Sequence, residues 1–516
     1  MDGLRPFRDS RVIAMFFLGF SAGIPLLLIF SSLSLWLREA GVDRGAVTFF
    51  SWAALGYSFK FVWAPLIDRL PVPVLTDWLG RRRAWLLVAQ ASIALAIILM
   101  ASIDPALGDV SLTHMALAAV LLGFSAATQD IVIDAYRIEA AESRLQAMMS
   151  ATYIAGYRVG MVVSGAGALY LAAALGSTAE HYAYAAWRWT YVAMAGTMLV
   201  GILTTLAIAE PQGSGISVRR YGALDYFRLV IVFVGGVLAF VGAFFFSGEA
   251  FNALAGMLGQ GPLMAFLMEA LHFGLALLAA GLTGWLLVRL GAVDRAMARE
   301  TWIAPVVDFF ARYGLGTAVL LLALIGLYRI SDVVLGVISN VFYQDLGFTK
   351  PQIATAVKTF GVVVSIAGGL LGGLMAARFG VLRILMLGAI LSAATNLVFV
   401  WLAWVGNDLS VLYLAVAADN LAAGLASAAF VAFLSSLTSV AFTAVQYAIF
   451  SSLMTLLPKV LGGYSGTMVS AIGYPSFFVF TTLIGVPVLW LVWQAGRRLG
   501  GGPAPQEAQA LAESSA

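Results

Sequence analysis

Long apolar runs separated by short polar stretches organise this chain from end to end. A bilayer core about 30 Å thick takes roughly 20 mainly apolar residues to cross as a helix. On that ruler the chain divides into fourteen segments. Six lie at about 12–37, 45–67, 84–103, 112–136, 147–174 and 187–209, and two more at about 226–247 and 263–290. The last six lie at about 316–340, 352–377, 381–405, 409–437, 443–470 and 474–496. The start, MDGLRPFRDSRVIAMFFLGF, is basic and then apolar, as a secretory signal is. Its apolar run continues to about residue 37 without a small-residue cleavage site, which predicts a retained first membrane helix.

The polar breaks set an expected orientation. Arg5, Arg8 and Arg11 precede the first run, Arg81, Arg82 and Arg83 separate the second from the third, and Arg137 and Arg144 follow the fourth. Arg219, Arg220, Arg295, Arg299, Arg378, Arg383, Arg497 and Arg498 fall in later loops of the same parity, whereas opposite loops such as IDPALGDVSLTH hold almost no basic residue. The positive-inside rule then places both termini in the cytoplasm. The tail 498–516 is low in complexity, which predicts disorder.

Composition agrees with the pattern. The chain is 61% hydrophobic and 11% charged, with a mean hydropathy of +0.95, whereas soluble proteins carry roughly 25% charged residues. A soluble core this apolar would expose aggregating patches, so the expected class is an all-α polytopic membrane protein. The net charge of +3 comes from basic residues at the ends of apolar runs, an orientation signal and not a nucleic-acid surface. Without cysteine there is no disulfide or thiolate chemistry. His114, His181 and His272 are too scattered for a metal cluster, so neither metal nor cofactor is expected.

An internal repeat follows from the loops. Residues 64–83, APLIDRLPVPVLTDWLGRRR, and 368–383, GGLLGGLMAARFGVLR, join second to third helices in two six-helix sets. Both are small or Gly-containing helix ends leading into a basic turn with Gly80 or Gly380. This resembles the loop G-x-x-x-D-R-x-G-R-R of the major facilitator superfamily. The resemblance implies two six-helix halves, with a substrate cavity between halves that rock against each other. The expected organisation is a half at 1–210, a linker with an inserted helix pair at 211–312, a half at 313–497, and the tail. Asp68, Arg69, Arg81 and Arg82 are the expected conformational lock.

Ionisable residues within membrane helices cost about 2.5–3.5 kcal/mol each on insertion scales and are functional candidates by default. The first half has Lys60, Asp130, Asp134 and Arg158, and the second has Asp332, Lys358, Asp419 and Lys459, so pairing within each half can neutralise it. By depth, Lys60 and Asp130 lie together toward the cytoplasmic ends, and Asp332 and Lys358 form a structural pair toward the periplasm. Asp130 and Asp134 share a helix face. Desolvation and a neighbouring like charge oppose ionisation of a carboxylate, whereas a nearby cation favours it. That competition is what proton coupling needs, and Asp130 and Asp134 are its candidates. Asp134 is equally placed to pair with Arg137 at the membrane surface. Glu269 and His272, at i and i+3 on the inserted pair, are expected to face each other or an interface.

Longer stretches carry a second resemblance. LGFSAGIPLLLIFSSLSLWLREAGV (18–42), FKFVWAPLIDR (59–69), SAATQDIVIDAYRIE (125–139) and GYRVGMVVSGAGAL (156–169) are similar to the AmpG family of muropeptide permeases. So are LYRISDVV (327–334), VKTFGVVVSIAGGLLGG (357–373), ADNLAAGLASAAFVAFLSSL (418–437) and TAVQYAIFSSLMTL (443–456). The resemblance covers the twelve-helix core; in that family's pattern the additional helices follow the core, whereas here they lie between the halves. It implies proton-driven import of GlcNAc-1,6-anhydroMurNAc peptides across the bacterial inner membrane for peptidoglycan recycling, a flux linked to β-lactamase induction. Arg158, Lys358 and Lys459 suit the carboxylates of such a cargo, while Lys60, Gln129, Tyr157, Asp419, Asn420 and Gln446 complete the expected binding set. Expected partners are the sugar-peptide, protons and the bilayer, with the chain acting as a monomer. Two alternatives keep the fold: a carrier of another anionic amphiphile, and a non-transporting assembly or receptor protein. No nucleophile, metal or paired-acid constellation on a soluble domain points to an enzyme.

Overall fold

In hydrocarbon every backbone N–H and C=O has to find its partner within its own segment, so apolar runs of this length fold as helices. The computed structural model describes residues 9–42, 57, 59–178, 181–211, 221–258, 262–462 and 464–499, and all regular structure among them is helical. The first six-helix half comprises α1 (Ser10–Leu27), α2 (Ala64–Arg69), α3 (Arg81–Ala101), α4 (Asp109–Ala140), α5 (Ser143–Val162) and α6 (Tyr184–Ala207). Two intervening helices follow, α7 (Ala223–Leu258) and α8 (Pro262–Arg289). The second half comprises α9 (Ala304–Leu327) and α10 (Ile330–Asp345), which share one apolar stretch, followed by α11 (Gly361–Phe379), α12 (Val381–Val405), α13 (Leu409–Leu437), α14 (Thr443–Gly462) and α15 (Ser465–Leu499).

Among the described residues twelve helical stretches are long and apolar enough to cross a membrane, so the chain is the all-α, multi-pass membrane protein its sequence predicts. The expected crossing at 45–67 falls largely outside the described residues, as does the tail beyond 499. The one at 443–470 corresponds to α14, whose apolar stretch Val440–Leu456 is shorter than the others. The run expected at 12–37 is longer than one α-helix. After Pro25, α1 passes through a π turn at Leu28–Ser32 into Leu33–Glu39.

The chain packs as two compact units. One contains Met1–Asp68, Val72–Gly215 and Phe309–Ala516, and the other Arg69–Pro71 and Ile216–Asp308. The smaller unit is built on α7 and α8. There His272 accepts or donates a 2.8 Å hydrogen bond at the Phe244 carbonyl and is stacked between the Phe244 and Phe251 rings. The side chain of Glu269, its expected neighbour, lies outside the described residues.

In the larger unit one apolar core fills the first half around Trp36, Trp187, Tyr191 and Met198. A second core fills the second half and takes in Ile138 and Ala147 of the first, so the halves share it. Close helix packing positions the polar residues described below. A Cβ on Gly19 or Gly23 of α1 would overlap the carbonyl oxygens of Tyr153 and Tyr157, and one on Gly156 or Gly160 of α5 those of Phe16 and Phe20. Small residues at i and i+4 on both helices let the backbones touch, which is how helices gain contact where lipid supplies no hydrophobic drive. The loop repeat is also structural. Gly80 and Gly380 both adopt left-handed conformations (φ 87° and 92°), and each caps the start of a basic helix, α3 or α12.

Candidate functional site

The carboxylates of α4 sit in a stretch, Ser125–Ile138, that is buried throughout. Asp134 accepts a 3.1 Å hydrogen bond from Arg137 and lies 3.6 Å from the Lys60 ammonium. Lys60 thus closes on Asp134, while its charge still acts on Asp130. Asp130, one turn away, has no ion-pair partner among the described residues; the Tyr153 hydroxyl donates to it at 3.5 Å. Tyr57 places a buried hydroxyl nearby with no hydrogen-bond partner among the described residues. Gln129 is fully buried, with Ser21 donating to its carbonyl oxygen at 3.5 Å and its amide nitrogen unpartnered among the described residues.

From Asp130 the polar line continues along α5 toward the second half. Tyr157 interacts electrostatically with both Asp130 and Arg158. Arg158 has no ion pair among the described residues, and the charge that acts on it most is that of another arginine, Arg329. Arg329 lies at the start of α10, where it meets Asp332 at 3.0 Å and donates to the Ser427 hydroxyl of α13 at 2.5 Å. Asp419 interacts with both Asp332 and Arg329. Asp332 therefore pairs with a residue three positions before it; the side chains of Lys358, its expected partner, and of Lys459 lie outside the described residues. Asn420 donates to the Val416 carbonyl at 3.0 Å on its own helix. Gln446 is buried in the first turn of α14, where its oxygen accepts from Arg312 at 2.9 Å and from the Ser439 N–H at 2.8 Å.

At the end of the helices bearing the basic loops, the halves are joined by charge. The Asp68 carboxylate accepts from the N–H groups of Ala444 and Val445, at 3.3 and 3.0 Å. It thereby caps the first turn of α14, where free N–H groups and the helix dipole favour an anion. Arg82 donates to Asp68 at 2.7 Å, to both Glu139 oxygens, and to the Thr443 hydroxyl at 2.7 Å. Arg81 donates to the Asp68 carbonyl at 2.7 Å and lies 3.6 Å from Glu139. Glu210 fixes the start of α3 by accepting from the N–H groups of Arg82 and Arg83 at 2.8 and 3.1 Å, and burial nonetheless raises its carboxyl above the ordinary range. Arg69, expected beside Asp68, belongs to the smaller unit and meets Glu300 there at 3.4 Å.

Several residues here go beyond the sequence reading. Glu139 and Thr443 complete the charge cluster, Arg329 pairs with Asp332, and Arg137 reaches Ser435 and Tyr447 of the second half. Two had a local signal, Arg137 three positions after Asp134 and Arg329 three before Asp332. The partners in the other half had none.

Residues 11–209 match the family described as acetyl-coenzyme A transporter 1. The chain is 30% identical to an AmpG transporter (AmpG 4) of Rickettsia conorii over 486 residues, 94% of the chain and 96% of that protein. It is 28% identical to the anhydromuropeptide permease of Escherichia coli K12 over 490 residues, 95% of the chain and 80% of that protein. Among solved structures it superposes on the proton:xylose symporter XylE, of the major facilitator superfamily, with a TM-score of 0.60 at 12% identity, covering 94% of the chain and 95% of XylE. That likeness shows the fold, a major facilitator architecture of two six-helix halves; in chain order α7 and α8 fall between them.

Proposed function

The chain belongs to the AmpG family of transporters, and on that premise we propose that it is a proton-coupled carrier importing GlcNAc-1,6-anhydroMurNAc peptides for peptidoglycan recycling, a flux that also feeds β-lactamase induction. The observation that carries this reading is Arg158. It is an arginine without a counter-ion among the described residues, with Arg329 as its strongest electrostatic neighbour there, in a chain that aligns over 95% of its length with a permease named for anhydromuropeptides. Two cations acting on one another across the halves favour an anion between them, and the peptide and lactyl carboxylates of such a cargo supply it. Tyr157, Gln129 and Asn420 offer ring and amide surfaces to the sugars. Asp130 carries the proton: it is a buried carboxylate without an ion pair among the described residues, next to a cation already engaged by Asp134.

In this reading the halves at 1–210 and 313–497 rock about the line from Asp130 to Asp419. The Asp68–Arg82–Glu139–Thr443 cluster locks the cytoplasmic side. Both termini face the cytoplasm, the membrane is the bacterial inner membrane, and the chain acts as a monomer. The family match over 11–209 favours a second cargo in the same site, a carboxylated or phosphorylated amphiphile of the acyl-coenzyme A kind. Uptake of labelled anhydromuropeptide into proteoliposomes, with and without an inward proton gradient, tests the proposal. Accumulation that follows the gradient supports it, no uptake of the anhydromuropeptide beside uptake of labelled acetyl-coenzyme A favours the second cargo, and equal uptake with and without the gradient removes the proton coupling.

A further inference from the structure

We infer that Arg137 is the positioning residue that ties the charge on Asp134 to the seal between the two halves. The inference rests on the carrier reading and adds to it how the coupling carboxylates communicate with the moving parts. The Arg137 guanidinium is fully buried and divided between partners. One nitrogen donates to Asp134 on its own helix at 3.1 Å. The other donates to Ser150 of α5 at 3.0 Å and to Ser435 of α13, in the opposite half, at 2.5 Å. Its face lies over the Tyr447 ring of α14, also in the opposite half, 5.1 Å from the centroid. A guanidinium holds its donors in a rigid planar fork. The orientation that serves Asp134 is therefore the one that aims the second nitrogen at Ser435.

The charged and titratable groups that face Asp134 are Lys60, Asp130 and Arg137, with Tyr153 from α5 and Tyr447 from α14. The Asp134 carboxylate pairs with both cations. Where that charge is removed, as in Asp134→Asn, Lys60 and Arg137 share a dry site without the anion, and only hydroxyls and a ring hold Arg137 in its fork position. Rotation of Arg137 toward another acceptor then breaks the Ser435 contact and uncovers Tyr447. Tyr447 stands one turn along α14 from Thr443, the residue held by Arg82, so both devices act on the same helix.

The chain has no cysteine, so Glu142→Cys and Phe379→Cys place a unique spin-label pair on exposed positions at the basic-loop end of each half. Pulsed dipolar spectroscopy then reads the ratio of sealed to open protein without any cargo. Asp134→Asn is expected to shift that ratio about tenfold toward the longer distance, as loss of a charge-assisted hydrogen bond does. Ser435→Ala, which leaves the Asp134–Arg137 pair untouched, is expected to shift it by about tenfold, the low end for a hydrogen bond from a charged donor. Arg137→Lys keeps the charge but lacks the fork and is expected to match Ser435→Ala. Joining Asp134→Asn with Ser435→Ala is expected to give less than the product of the single effects. An unmoved ratio in the single variants, or a fully multiplicative double variant, overturns the inference. Should Asp134→Asn not fold, Ser435→Ala and Arg137→Lys decide alone, and wild-type ratios in both overturn it. Failure of the carrier reading shows elsewhere, as wild-type proteoliposomes that take up no anionic cargo whatever the labels report.

Discussion

Asp130 and Asp134 stand one helical turn apart, yet ionisation asks different things of them. Asp134 has two cations within 4 Å, whereas Asp130 has a tyrosine hydroxyl and no ion pair among the described residues. Asp130→Asn is nearly isosteric and breaks no such pair, so it is expected to change thermal stability little while abolishing gradient-driven accumulation and sparing cargo counterflow. Accumulation that survives this substitution would move the proton elsewhere. Arg158→Gln is expected to raise KM for the anhydromuropeptide by about 10–100-fold, the worth of a charge-assisted hydrogen bond of about 1.5–3 kcal/mol. A cargo analogue with amidated carboxylates should bind wild type and variant alike; equal loss for both cargoes would assign Arg158 a packing role. At this scale the sequence is legible where partners are local. Asp134 with Arg137 is an i,i+3 pair that the sequence offers directly; Arg329 with Asp332 has the same spacing, although the sequence reading expected Asp332 to meet Lys358. Ser435 is 298 positions from Arg137 and joins it only through the packing of the halves, which no spacing encodes.

Helices are where the chain is easiest to read, because hydrocarbon permits nothing else for a long apolar run. The segments expected at 381–405 and 409–437 coincide with α12 and α13. The interior breaks were less legible. The run expected at 316–340 is two helices parted at Tyr328 and Arg329, and that break puts Arg329 at a helix start beside Ser427. Contacts between helices are harder still, although the glycines at 19, 23, 156 and 160 carried a clue in their spacing. Gly156→Ala has to push α5 away from the α1 backbone, and α5 carries Tyr153, Tyr157 and Arg158. Its expected cost is about 1–3 kcal/mol, as for other overpacked sites, seen as a lower melting temperature together with weaker cargo binding. Gly196→Ala on α6 adds a methyl where nothing lies within 4 Å and serves as the control. Equal stability of the two variants would mean that the crossing tolerates a wider separation.

At the scale of the whole chain the inserted helices raise a question of necessity. The larger unit holds both six-helix halves, their two cores, the charge line and the Asp68–Arg82–Thr443 cluster, all without a residue of α7 or α8. Within the smaller unit, Arg69 is tied to Glu300, which lies after α8 and not on it. Two helices packed side by side enter and leave on one side of a bilayer, so removing both preserves the direction of every later crossing. Replacing 223–289 by a flexible Gly/Ser linker while keeping 290–308 is therefore expected to leave the topology intact and the Arg69–Glu300 pair in place. Closing that loop costs little, since each doubling of linker length adds only about 0.6 kcal/mol. The shortened protein is expected to reach the membrane and to take up cargo within about threefold of wild type, a difference of roughly 0.6 kcal/mol in the barrier. A protein that inserts and remains monodisperse yet transports nothing would instead make the α7–α8 pair part of the carrier.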